Sequence, residues 1–116
     1  LSNQNRSAYF ETKTSYNYKQ SSTYKVSNQG DHINKLIVFD DQFNISNKKL
    51  IIKIDVEGHE KEVLEGMKKT INLNSILLQV EIFNENYVKI NSFLLNVGFK
   101  FLKKIDSDYY YEKNIN

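Results

Sequence analysis

The spacing of apolar positions changes several times along this chain, and each change marks an element. Leu50, Ile51, Ile52 and Ile54 run almost consecutively into Asp55, interrupted only by Lys53. A near-continuous run of this length predicts a central parallel strand covered on both faces. Lys53 fits near a rim, where its stem packs and its amine reaches water. Gly58 supplies a turn, and the spacing then becomes helical, with Val63, Leu64, Met67 and Ile71 on one stripe from His59 to Ile71. Glu60 and Glu62 fall in the first turns, and Lys68 and Lys69 in the last, which suits the helix dipole. Gly66 inside a helix costs about 1 kcal/mol against alanine. Close contact with the sheet is the expected reason for it.

Beyond a turn at Leu73 to Ser75, Ile76 to Phe83 reads as a second buried strand, broken by Gln79 and Glu81. Asn84 to Val97 predicts a helix with Tyr87, Val88, Phe93, Leu94 and Val97 inward, capped by Gly98. Phe99 to Ile105 and Asp108 to Glu112 form a hairpin turning at Asp106 and Ser107. Upstream, Lys35 to Phe39 is a short strand, Asp40 or Asp41 caps a helical turn through Phe43, and Asn44 to Lys49 is loop. Residues 1–34 are polar and irregular, with short extended pieces at Ala8 to Phe10 and Ser22 to Val26. No helical period runs from Lys13 to Gln20. Tyr9, Tyr16, Tyr18 and Tyr24 distinguish this segment from a free linker. The order predicts an α/β fold of parallel β-α-β units ending in an antiparallel C-terminal hairpin.

Composition narrows the function. Sixteen basic residues face 14 acidic ones, for a net charge of +2, and Arg6 is the sole arginine. Steering toward nucleic acid needs a stronger basic excess, and base or phosphate readout leans on arginine, so no nucleic-acid partner is expected. The absence of cysteine excludes disulfides, thiolate zinc sites and cysteine nucleophiles. No apolar run approaches the roughly 20 residues of a membrane span, and a cytoplasmic location is expected.

Candidate chemistry gathers after the first buried strand, where ligands sit in open α/β sheets. Asp55 there can bind a ligand, coordinate a cation, act as a base, or simply cap the next helix. Glu57 and His59 flank Gly58, and His59 suits proton transfer or metal binding. Glu60 serves the helix dipole. Asp55, Glu57, His59 and Glu60 together permit a divalent ion, although strong ligand spacing such as HExxH is lacking. Glu81, late in the next strand, reaches the same crevice if the two strands are parallel neighbours. A buried carboxylate needs a partner. Capping suits at least one of Asp40 and Asp41, and Tyr109, Tyr110 and Tyr111 read as structural aromatics alternating between two faces. No glycine-rich phosphate loop occurs among the four glycines.

The run Lys53-Ile54-Asp55-Val56-Glu57-Gly58-His59-Glu60, continued by Val63, Leu64 and Gly66, resembles the signature of the FkbM family of S-adenosylmethionine-dependent methyltransferases. Leu1-Ser2-Asn3, Phe39 to Phe43, Ile76 to Ile82, Gly98-Phe99 and Ser107 to Tyr111 resemble flanking elements of that family. The resemblance implies a Rossmann-like methyltransferase sheet. It implies methyl transfer from S-adenosylmethionine to a hydroxyl of a sugar or secondary metabolite. Asp55, Glu57 and His59 become the catalytic candidates, with Asp55 and Glu81 as cofactor-binding candidates. It further implies that residues 35–116 are the C-terminal part of the methyltransferase domain, with the cofactor's glycine loop upstream of Leu1. Two other readings stay open: a non-catalytic remnant or small binding domain, and a metal-assisted hydrolase using Asp55, Glu57 and His59.

Overall fold

The computed structural model describes residues 1–11, 14–15, 18–19, 25–30 and 32–115. Its centre is a four-stranded sheet built from β6 (Lys49–Ile54), β7 (Ser75–Glu81), β8 (Lys100–Ile105) and β9 (Asp108–Lys113), ordered β6-β7-β9-β8. β6 and β7 are parallel, and β9 is antiparallel to both β7 and β8. The fold is therefore mixed α/β. The crossover from β6 to β7 carries α2 (Glu60–Glu65) and α3 (Lys68–Leu73). The next carries a 3-10 turn (Asn84–Asn86) and α4 (Tyr87–Asn96) to the outer strand β8. β9 then folds back into the gap between β7 and β8, so the hairpin closes the sheet from inside rather than extending it.

The N-terminal residues form antiparallel structure of their own. β1 (Arg6–Glu11) lies between β4 (Lys25–Ser27) and β5 (His32–Leu36). β2 (Thr14–Ser15) and β3 (Tyr18–Lys19) pair as a minimal ribbon. The extended piece expected at Ser22 to Val26 is met at Lys25 and Val26, and Ser22 to Tyr24 lie outside the described residues, as does Tyr16. The strand expected at Lys35 to Phe39 sits earlier in the chain. It ends at Leu36, because Phe39 already opens α1 (Phe39–Gln42).

β6 differs from expectation. Among the described residues it pairs only with β7 and forms the edge of its sheet. Ile54 is buried, whereas Ile51 is 86% exposed. Its apolar run conceals an ordinary two-residue alternation, with Leu50, Ile52 and Ile54 turned to one side and Lys49, Ile51 and Lys53 to the other. Lys53 is at a rim, as expected, but at the edge of the whole sheet.

The helical stripe is correct in content: Val63, Leu64, Met67 and Ile71 are all buried in the main core. It is divided between two helices at Gly66 and Met67. The tight contact at Gly66 is not with the sheet, because an added Cβ would lie 2.0 Å from the carbonyl oxygen of Ser2. In α4, Ile90 and Leu94 are the fully buried positions, while Val88 points to solvent at 74% exposure. Gly98, at φ 94°, closes α4 as expected. Its amide bonds to Leu95 O and that of Phe99 to Leu94 O, the paired bonds of a Schellman end. Tyr109 and Tyr111 enter the core from β9, and Tyr111 Oη donates to Asn91 Oδ1 at 2.8 Å.

Candidate active site

The parallel register aligns Ile54 with Val80, which leaves Asp55 and Glu81 side by side where the two strands end. The chain then reverses through two consecutive left-handed residues, Glu57 at φ 53° and Gly58 at φ 98°. Glycine adopts this conformation freely, whereas glutamate does so at a cost. Glu60 holds the turn: its Oε1 accepts the amides of Gly58 at 2.9 Å and Val56 at 3.3 Å. Glu60 is 1% exposed. Its work is therefore to fix the loop as well as to favour the helix start.

The product of this loop is a carboxylate corner. One oxygen from each of Asp55, Glu57 and Glu81 lies within 4.8 Å of the other two. Ser107 Oγ, from the β8–β9 turn, donates to Glu81 Oε1 at 3.1 Å. Lys53 Nζ lies 3.5 Å from Asp55 Oδ2. The Glu81 carboxyl is pushed above its ordinary range, first by its hydrogen bond to Asp55, then by burial and by the charges of Asp55 and Glu57, with Ser107 opposing. The corner thus favours holding a proton or receiving a cation. The four residues Asp55, Glu57, His59 and Glu60, which the sequence permits as a divalent-ion set, do not converge as one group. Glu60 is committed to backbone amides and His59 turns to the other side of the loop.

His59 enters a different set of contacts. Its Nε2 is 2.9 Å from Ser2 Oγ, and its Nδ1 is 3.6 Å from Glu62 Oε2. Burial lowers its pKa below the ordinary 6.5, opposed by the nearby Glu62 charge. His59 and Asp55 both line a cavity of about 160 Å³, together with Leu1, Phe10, Val26, Leu36 and Val56. So the structure joins Asp55, Glu57 and Glu81 directly, and joins His59 to Asp55 across a hollow. On the far side of Glu81, Ser107 borders a more open polar cavity of about 440 Å³ with Asn84, Glu85 and Lys104. A third cavity, of about 430 Å³, runs beside β6 and is lined by Phe39, Leu50, Ile52 and Met67 with no carboxylate.

A match to the methyltransferase FkbM domain extends over residues 2–101, most of the chain. The chain belongs to the FkbM methyltransferase family. No curated protein and no solved structure gives a significant match. The general activity of an FkbM domain is S-adenosylmethionine-dependent methyl transfer. That cofactor carries a sulfonium and an ammonium. Three converging carboxylates, one of them held above its ordinary pKa by its hydrogen bond to Asp55 and by burial, have the acceptor oxygens and charge to receive such a group.

Several residues around this candidate site lie beyond what sequence reasoning found. Ser2 is 57 positions from His59, and no local pattern links them. Ser107 reads in the sequence as a turn residue and as part of the family's closing hairpin, but not as a partner of Glu81. Glu62 offered a weak signal, three residues after His59 on a helix, which places both on one face.

Proposed function

We propose that this protein transfers the methyl group of S-adenosylmethionine to a hydroxyl of a small-molecule or glycan acceptor. The carboxylate corner is the observation that carries this reading. In this reading the four-stranded sheet is part of a Rossmann-like methyltransferase sheet, whose ligands gather beyond the carboxyl ends of parallel strands. Asp55 and Glu81 hold the cationic part of the cofactor. When bound, the cofactor supplies an electrophilic methyl group.

Asp55 faces both the corner and the His59 cavity, so it also orients the acceptor. Glu57 binds acceptor hydroxyls from the tip of the turn. His59, held neutral by burial, takes the acceptor proton. Among the described residues no helix is long and apolar enough to cross a membrane.

Titration calorimetry with S-adenosylmethionine tests this reading. Asp55→Asn keeps the shape of the side chain and removes its charge. The variant should bind about tenfold more weakly, equivalent to about 1.4 kcal/mol. A variant that binds as tightly as the wild type would overturn the assignment.

A further inference from the structure

We infer that Ser2 and Glu62 are positioning residues that fix the tautomer of His59, with the proton on Nδ1 and the basic lone pair on Nε2. The inference deepens the proposed methyl transfer and rests on it for its catalytic meaning, but its geometry stands apart from the cofactor.

Two contacts decide the tautomer. Glu62 Oε2 is buried and has no hydrogen-bond partner. The group facing it is His59 Nδ1 at 3.6 Å. This is longer than a hydrogen bond, and a small side-chain adjustment closes it. If Nδ1 were unprotonated, its lone pair would confront a buried carboxylate oxygen, acceptor against acceptor. With the proton on Nδ1, the orphaned oxygen gains the donor that a buried carboxylate oxygen needs.

The opposite nitrogen then accepts. Ser2 Oγ is 2.9 Å from Nε2 and 3.4 Å from Asn3 Oδ1. The shorter contact is where its hydroxyl proton belongs. Ser2 is itself 1% exposed, and its backbone is locked by Ser2 N donating to Ile37 O at 2.8 Å. The hydroxyl therefore sits at a fixed point on the ring edge. Its burial also separates this trio from a serine nucleophile, which must meet its substrate. Ser2 and Glu62 act through His59.

The proton balance is simple. An acceptor hydroxyl gives its proton to Nε2 once the Ser2 hydroxyl has turned its own proton to Asn3 Oδ1, 3.4 Å away, which frees the Nε2 lone pair; the acceptor oxygen keeps the electron pair. The imidazolium so formed faces the Glu62 carboxylate, which stabilises it as the third member of a triad does.

Nitrogen NMR of uniformly labelled protein reads the tautomer directly. The chain has two histidines, so a His32→Gln variant assigns the signals. Wild-type His59 should show Nδ1 as the protonated, pyrrole-like nitrogen and Nε2 as the pyridine-like one. Glu62→Ala should move the proton to Nε2, where it can donate to Ser2 Oγ. Ser2→Ala should retain Nδ1–H, with unchanged amide signals elsewhere reporting an intact fold. A wild-type ring protonated on Nε2, or a Glu62→Ala ring that keeps Nδ1–H, would overturn the inference. Because the readout needs no cofactor, a failed calorimetric titration and a failed tautomer assignment are separate results.

Discussion

At the scale of single residues, the carboxylate corner makes a signed pH prediction. Glu81 binds its proton more tightly in the folded protein than in the unfolded chain, because it bonds to Asp55 and stands near Glu57. The folded state therefore holds more protons than the unfolded state, between the ordinary glutamate value near 4.5 and the raised value. Stability falls with rising pH wherever the folded state binds more protons. Through this window Glu81 is a net liability that a cation would relieve. Glu81→Gln should remove the effect, so the variant gains on the wild type between pH 4 and pH 7. Urea denaturation at the two pH values measures it. Equal stability differences at both would mean that the corner is too well solvated to couple its charges. His59 has the opposite sign: its folded pKa is depressed, so its contribution is present above pH 6.5 and is lost as pH falls through the depressed value.

Among the elements, α3 shows how one helix is completed by another. Its own N-cap, Met67, provides no side-chain bond. Asp40 of α1 supplies the cap across space: its Oδ2 accepts the amide of Lys69 at 2.7 Å, and its Oδ1 accepts the amide and hydroxyl of Thr70 at 3.0 and 2.7 Å. Asp40→Ala should cost about 1–2 kcal/mol, the upper range for a lost cap, because buried Thr70 loses both partners. Chemical denaturation measures the cost, and a loss below about 0.5 kcal/mol would show that water replaces Asp40. The sequence showed an acidic pair suited to capping but not which helix it served, because cap chemistry is local only when the helix follows directly. Similar physics separates the other readings. The stripe Val63, Leu64, Met67 and Ile71 and the β8–β9 hairpin were legible because their signals are contained in adjacent residues. The exchange of Val88 for Ile90 in the α4 core reflects rotation of a short helix against the sheet, which a bare apolar pattern leaves undetermined. The edge position of β6 depends on what pairs with it, and an apolar run carries no record of that. The candidate site divides in the same way. Asp55 and Glu81 could be paired in advance from two strand ends, whereas Ser2 could not be paired with His59.

Across the whole molecule, the N-terminal residues are coupled to the loop after β6 and to α2 through one glycine. Ser2 bridges to Val38, donates its amide to Ile37 and contacts His59, while its carbonyl occupies the space where Gly66 lacks a side chain. Asn3 and Asn5 extend the seam by bonding to Glu65 and Asp41 at 2.8 and 2.7 Å. A methyl group at Gly66 cannot fit 2.0 Å from a backbone oxygen. The helix backbone there has an ordinary φ of −72°, so alanine is harmless to α2 itself and would even favour it. The conflict lies wholly between segments, and relief requires residues 1–5 to move away from α2. That movement would take Ser2 from His59 and break its bridge to Val38. Gly66→Ala should therefore destabilise by about 1–3 kcal/mol, as overpacking does, and lower Tm by roughly 4 °C per kcal/mol. It should also hasten tryptic cleavage after Arg6 and release the hydroxyl contact at His59 Nε2. An isolated fall in Tm without these two local changes would place the strain within α2. An unchanged Tm would mean that the N-terminal segment does not occupy the gap above Gly66, and the link between Ser2 and His59 would fall with it.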